Sequence, residues 1–126
     1  MSCLFDSLSC FFIKDNIKVD SKTVRNIICD YLENNNKIID GLDTDFILSL
    51  DIPKDQYINR MRQYAWGGGI EIQAACNIWN VRILVYIISD KKFVEFIPLN
   101  GSYTHTIEIS WTGNHYEPIK AYKKDT

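Results

Sequence analysis

The sequence predicts an α+β protein whose mostly antiparallel sheet packs against helices. Two observations predict it. Apolar residues recur at helical spacing through the first half, and β-branched runs separated by turn residues fill the second. The chain has 126 residues, 46% of them hydrophobic and 13% aromatic, which suits one domain over residues 1–126 with its own core.

The helices come first. Leu4, Phe5, Leu8, Phe11 and Phe12 make an apolar stripe, with Ser2 as a candidate cap before it. Ser21 is the expected N-cap of a second helix, on which Val24, Ile27, Ile28, Tyr31 and Leu32 form the buried stripe and which Asn34-Asn35-Asn36 ends. Asp43 to Leu50 fits a short helix. Pro53 suits the first turn of another, carrying Tyr57, Met61 and Tyr64 on one side. Gly67-Gly68-Gly69 breaks the chain before a last helix over about Ile70 to Trp79, where Ala74 and Ala75 permit close packing on a sheet.

Strands follow. Val81–Ile88 is β-branched and long enough for a central strand. Asp90-Lys91-Lys92 reads as a turn, Phe93–Ile97 as a strand, and Pro98 to Gly101 as a second turn. Thr104–Ser110 alternates, with Thr106, Glu108 and Ser110 opposite Ile107 and Ile109. Thr112-Gly113-Asn114 connects it tightly to a strand from His115 to about Tyr122.

Charge and cysteine usage exclude several function classes. A net charge of −2 with scattered Lys and Arg offers no footprint for nucleic acid or an anionic membrane. No apolar run approaches a membrane span, and Asp6 interrupts an N-terminal stretch that lacks the basic start of a signal peptide. A cytoplasmic, monomeric protein with free thiols is expected. Cys3, Cys10, Cys29 and Cys76 form no C-x-x-C pair, so no metal site is expected. The abundance of Ile, Asn, Lys, Asp and Tyr fits an AT-rich genome, as in some viruses, intracellular bacteria and protists.

A cysteine protease needs a thiolate, a histidine to take its proton, a group that orients the histidine, and donors for the oxyanion. Cys3 falls in the first turn of the first helix, where unpaired N–H groups and the helix dipole favour a thiolate. Cys10, Cys29 and Cys76 lie further into helices among apolar residues and read as core. His115 follows a Gly-Asn turn. Glu117, two residues on, leaves the same strand face and is placed to accept from the imidazole Nδ1–H; Asn114 is the alternative orienter. His105, between Thr104 and Thr106, reads as a surface or cross-strand residue. From these residues alone the signal is weak: one N-terminal Cys and one later His occur in many inert proteins, and a half-exposed Cys and a turn His without any catalytic role is the plainer reading.

Three ordered motifs add a resemblance. Cys3-Leu4-Phe5-Asp6-Ser7-Leu8-Ser9 resembles the nucleophile segment of the ovarian-tumour (OTU) cysteine protease family. Trp66-Gly67-Gly68-Gly69-Ile70-Glu71-Ile72-Gln73-Ala74-Ala75 resembles its middle motif, and Gly113-Asn114-His115-Tyr116-Glu117-Pro118-Ile119 its His-Tyr motif. Arg25, Ile28, Tyr57 and Met61 also fit. The resemblance implies a papain-like OTU fold and thiol hydrolysis after the ubiquitin C-terminal Gly-Gly, with Cys3, His115 and Glu117 catalytic and no metal or organic cofactor. It implies conjugates of ubiquitin or a ubiquitin-like protein as partners. Trp66, Gly67, Gly68, Gly69, Asn114 and Tyr116 would line the substrate cleft. Bare glycines suit close approach of a Gly-Gly tail, and they equally suit a tight helix-start loop. Trp66 is either a cleft wall or core, and Glu71 reads as a helix-start or supporting carboxylate. The family's Asp-Gly-x-Cys has here only Met1 and Ser2 before Cys3, and Glu117 stands where members usually carry Asp or Asn. A truncated product lacking the N-terminal loop, a catalytically impaired ubiquitin-binding module, and a viral polyprotein protease acting in the host cytoplasm are the alternatives.

Overall fold

A computed structural model describes residues 3–14, 17–34, 37–39, 44–50 and 52–123. In chain order the elements are α1 (Cys3–Ser9), β1 (Ile13–Lys14), β2 (Ile17–Lys18), α2 (Ser21–Glu33), α3 (Thr44–Leu48), α4 (Lys54–Gln63), α5 (Gly69–Trp79), β3 (Val81–Ile87), β4 (Lys92–Phe96), β5 (His105–Trp111) and β6 (Tyr116–Lys123). Ser2, offered as the first helix cap, lies outside the described residues, as do Asn35 and Asn36.

Several helix boundaries differ from expectation. The α1 stripe continues to Phe12, but the helix stops at Ser9. Phe12 instead stacks on Trp79 with ring centroids 4.1 Å apart, so its burial comes from α5 rather than from a longer α1. The small β1–β2 ladder, Ile13↔Lys18 and Lys14↔Ile17, was not anticipated. Asp20, not Ser21, caps α2: its carboxylate accepts from the Thr23 amide at 2.8 Å, a bond that the shorter Ser21 side chain leaves to its neighbour. Pro53 stands one place earlier than expected, at the N-cap of α4. On that helix Ile58 and Met61 are buried, while Tyr64 is the exposed C-cap.

The four-stranded sheet has the order β4-β3-β5-β6. β3 pairs antiparallel with β4 and parallel with β5, and β5 pairs antiparallel with β6. The sheet is thus mostly antiparallel around one parallel central pair. A hairpin joins β3 to β4, turning through Lys91 at a φ of 54°. The chain then crosses to the far side of β3 to lay down β5. In β5 Ile107 and Ile109 are buried, and so are Thr106 and Ser110 opposite them. β6 is an edge strand, and it tolerates Pro118 beside a register shift opposite Glu108/Ile109.

One hydrophobic cluster joins helices to sheet. Leu4, Phe5 and Leu8 of α1, Ile28 and Leu32 of α2, Ile72, Ala74 and Ala75 of α5, and Ile83 and Ile109 of the sheet are all at most 1% exposed. The small side chains of Ala74 and Ala75 allow α5 to lie close to β3, as their sequence suggested. α1 also packs against β6, which brings the two ends of the chain together.

Candidate active site

Cys3 opens α1 and is half-buried against the core. Ser7 Oγ donates to its carbonyl at 2.9 Å, tying the first turn to the second. The remaining thiols separate by environment. Cys29 and Cys76 are fully buried, and burial pushes their thiols up to about 11 and about 12 respectively. Both stay protonated at neutral pH and pack as small apolar side chains. Cys10 does not: it is exposed, its Sγ donating to the Asp6 carbonyl at 3.4 Å. The early end of α1 carries it out of the core that its sequence neighbours suggested.

The triglycine segment lies directly on the first turn of α1. A Cβ added to Gly67 would stand 2.5 Å from Leu4 Cδ2 and 3.1 Å from Phe5 Cζ. Only glycine lets the backbone come this near the residue after Cys3. A Cβ on Gly68 would meet nothing within 4 Å, so that side of the strand is open. Trp66 is 51% exposed, which removes it from the core. The segment is held from within by two buried charged side chains. Arg25 donates to the carbonyls of Met61 and Ala65 and lies 4.3 Å over the Phe5 ring. Glu71, 1% exposed, accepts from the Gly68 amide at 2.8 Å and from the Tyr57 hydroxyl at 2.5 Å. Burial raises the Glu71 carboxyl above its ordinary value, against the pull of those two donors.

His115 sits in the turn between β5 and β6, one residue before the strand. Thr112 builds that turn: its amide and its hydroxyl both donate to the His115 carbonyl, at 3.0 and 3.3 Å. Gly113 takes a φ of +110°, which a side chain would strain. The Thr112 hydroxyl also reaches Asn114 Oδ1 at 3.0 Å, which ties Asn114 into the turn. Glu117 Oε1 lies 3.7 Å from His115 Nε2. The expected partner was Nδ1; the carboxylate faces the other nitrogen and leaves Nδ1 open. Tyr116 is buried, tilted against Trp111 with centroids 4.5 Å apart. Burial raises its phenol, and the nearness of Cys3 and Glu71 adds to the rise, in keeping with the packing of α1 on β6. His105 lies at the far end of β5, exposed, with Nδ1 3.0 Å from Thr104 Oγ1.

Cys3, Gly67 and Tyr116 therefore share one neighbourhood. A cavity of about 450 Å³ nearby is lined by Tyr57, Arg60, Trp66, Gly68, Gly69 and Glu71, among others. Neither Cys3 nor His115 lines it, so it flanks the candidate site. Among the described residues no three His, Cys, Asp or Glu side chains are grouped to hold a metal ion. None of the described helices is long and apolar enough to cross a membrane. Tyr57 and Arg25 gave little sign of their positions in the sequence. Tyr57 meets Glu71 across two helices, and the available signal for Arg25 was a cation inside the apolar stripe of α2.

Comparison with known proteins gives the family of the chain. The family described as OTU-like cysteine protease matches residues 2–117. The chain is 33% identical to ubiquitin thioesterase otu2 of Schizosaccharomyces pombe over 94% of its own length, and spans 42% of that relative. An OTU domain solved in complex with ubiquitin has a TM-score of 0.75 at 24% identity, covering 99% of this chain and 70% of that one. An OTU deubiquitinase from Wolbachia pipientis wMel, solved bound to ubiquitin, has a TM-score of 0.62 at 19% identity, covering 98% and 92%. The viral OTU domain protease from Dera Ghazi Khan virus has 0.62 at 18%, covering 98% and 76%. This chain shares their fold, and its own helices and mixed four-stranded sheet make an α+β architecture.

Proposed function

The chain belongs to the OTU-like cysteine proteases, and from that premise we propose that it is a thiol-dependent ubiquitin hydrolase, with Cys3 as nucleophile, His115 as its base and Glu117 as the orienting carboxylate. The observation that carries the reading is the meeting of three motifs distant in sequence: the first turn of α1, the triglycine segment laid on Leu4, and the turn into Tyr116. The ubiquitin thioesterase relative supports the substrate class, as do the ubiquitin-bound structures of the same fold.

In this reading Glu117, whose Oε1 lies 3.7 Å from Nε2, orients the imidazole, and Nδ1 is the nitrogen that serves the sulfur. Nδ1 takes the Cys3 proton, and the thiolate attacks the carbonyl carbon of the terminal glycine of ubiquitin. Backbone N–H groups around Cys3 hold the oxyanion. As the C–N bond breaks, the lysine amine leaves with the proton from His115, and a thioester remains on Cys3. His115 then takes a proton from water, whose oxygen displaces the sulfur and releases ubiquitin as the free acid. The tail approaches along the open edge of Gly68, with Trp66 and Gly69 beside it and Asn114 and Tyr116 opposite. The whole chain acts as one monomeric domain, in the cytoplasm.

A ubiquitin probe carrying a C-terminal electrophile tests the assignment. The expected result is a mass gain of one ubiquitin at Cys3, abolished in Cys3→Ala and strongly slowed in His115→Ala. An adduct on another cysteine, or none, overturns it. Ubiquitin binding without turnover identifies a non-catalytic module instead, and preferential cleavage of a viral peptide over di-ubiquitin identifies a polyprotein protease.

A further inference from the structure

A buried carboxyl side chain is costly to maintain unless its partners are fixed. Glu71 is one, and its two oxygens take different partners. Oε1 takes the Gly68 amide at 2.8 Å, and Oε2 takes the Tyr57 hydroxyl at 2.5 Å. Tyr57 is itself half-buried on α4 and packs against the core. Gly68 is the N-cap of α5 and follows Gly67, whose bare α-carbon rests on Leu4. A continuous set of contacts therefore runs from Tyr57 through Glu71, Gly68 and Gly67 to Leu4, the residue after Cys3. Arg25 grips the other end of the same segment through the Ala65 carbonyl, with its guanidinium over Phe5. Residues 65–68 form a strap held at both ends, with its outer face open at Gly68.

We propose that Tyr57 and Glu71 are positioning residues for the substrate tail: acting through the Gly68 amide, they hold the strap against the first turn of α1 and so fix the wall along which the scissile peptide lies. The proposal rests on the hydrolase reading above. Neither side chain touches the reacting atoms; both act by setting where the backbone beside Cys3 stands. A displacement of about 1 Å in such a wall costs up to roughly 10²-fold in rate.

Three variants separate this role from a merely structural one. Glu71→Gln keeps an oxygen for the Gly68 amide and an N–H for the Tyr57 oxygen. Glu71→Leu fills the space without either bond, and Tyr57→Phe removes only the outer anchor. The readouts are kcat and KM on a fluorogenic ubiquitin substrate, the rate of Cys3 alkylation by iodoacetamide, and hydrogen exchange at the Gly68 amide. In Glu71→Leu, Gly68 exchange rises at least about tenfold and kcat falls about 10–100-fold, while KM and Cys3 alkylation change less than about threefold. Glu71→Gln stays within about threefold of wild type throughout, and Tyr57→Phe falls between. A folded Glu71→Leu with wild-type kcat overturns the proposal, as does unchanged Gly68 protection. Should Glu71→Leu not fold, Tyr57→Phe decides: faster Gly68 exchange with reduced kcat supports the role, and no change overturns it. A wild-type chain that turns over no ubiquitin substrate refutes the hydrolase reading instead, and Gly68 exchange in the same variants then decides whether Glu71 holds the strap.

Discussion

Removal from water alters the proton affinity of a thiol. Cys29 is fully buried, and its thiol, ordinarily near 9, is pushed up to about 11. Above pH 9 the unfolded chain gives up a proton that the native chain retains. The Cys29 contribution to stability therefore falls as pH rises from about 9 to about 11, and levels off beyond. The two-unit rise corresponds to on the order of 2–3 kcal/mol. Urea melts across that range should show a shallower pH slope in Cys29→Ala than in wild type; equal slopes would refute the account. At pH 8 native protein should present Cys10 and Cys3 to iodoacetamide and withhold Cys29 and Cys76, read by mass of the modified peptides. The helix start at Cys3 and the turn before His115 were legible in sequence. The ring nitrogen facing Glu117 was not, because strand spacing fixes a face and not a side-chain torsion.

Among the elements, the triglycine segment makes the sharpest separation between packing and access. Gly67→Ala drives a methyl group onto Leu4 and Phe5 and should cost about 1–3 kcal/mol of stability in denaturant melts. Gly68→Ala meets open space at an extended φ of −149° and should leave the melt unchanged. It should nonetheless slow ubiquitin hydrolysis, since the added methyl stands where the tail needs bare backbone. Gly69→Ala lies within α5, 3.9 Å from Phe96, and should gain about 0.4–1 kcal/mol. A Gly68→Ala variant with full activity would remove Gly68 from the cleft. Sequence reading located α2, α4 and α5 to within a residue or two, because each carries a stripe between recognisable stops. It missed the β1–β2 pair, whose strands of two residues are too short for any period to register. The same shortness hid the end of α1, where Phe12 keeps helical spacing and is buried through Trp79 instead.

At the scale of the molecule, helices followed by strands were enough to establish the α+β class, and mostly antiparallel pairing followed from the short turns. The parallel β3–β5 pair was not legible: Pro98–Gly101 reads only as a turn, and nothing local tells the chain to pass β3 before pairing again. What settles it is burial on both faces of β5, where Thr106 and Ser110 are covered as well as Ile107 and Ile109. A strand so enclosed belongs in the interior of the sheet. Ile109→Ala should accordingly cost about 2–5 kcal/mol. Far-UV circular dichroism and the fluorescence of Trp79 and Trp111 should report one coincident urea transition; two separated transitions would show that helices and sheet do not unfold together. The packing of α1 on β6 has a consequence for how the enzyme comes into being. On a ribosome the sulfur emerges more than a hundred residues ahead of its imidazole. Under the proposed mechanism, a chain built this way carries Cys3 unarmed through synthesis and gains its chemistry only when β6 closes onto α1.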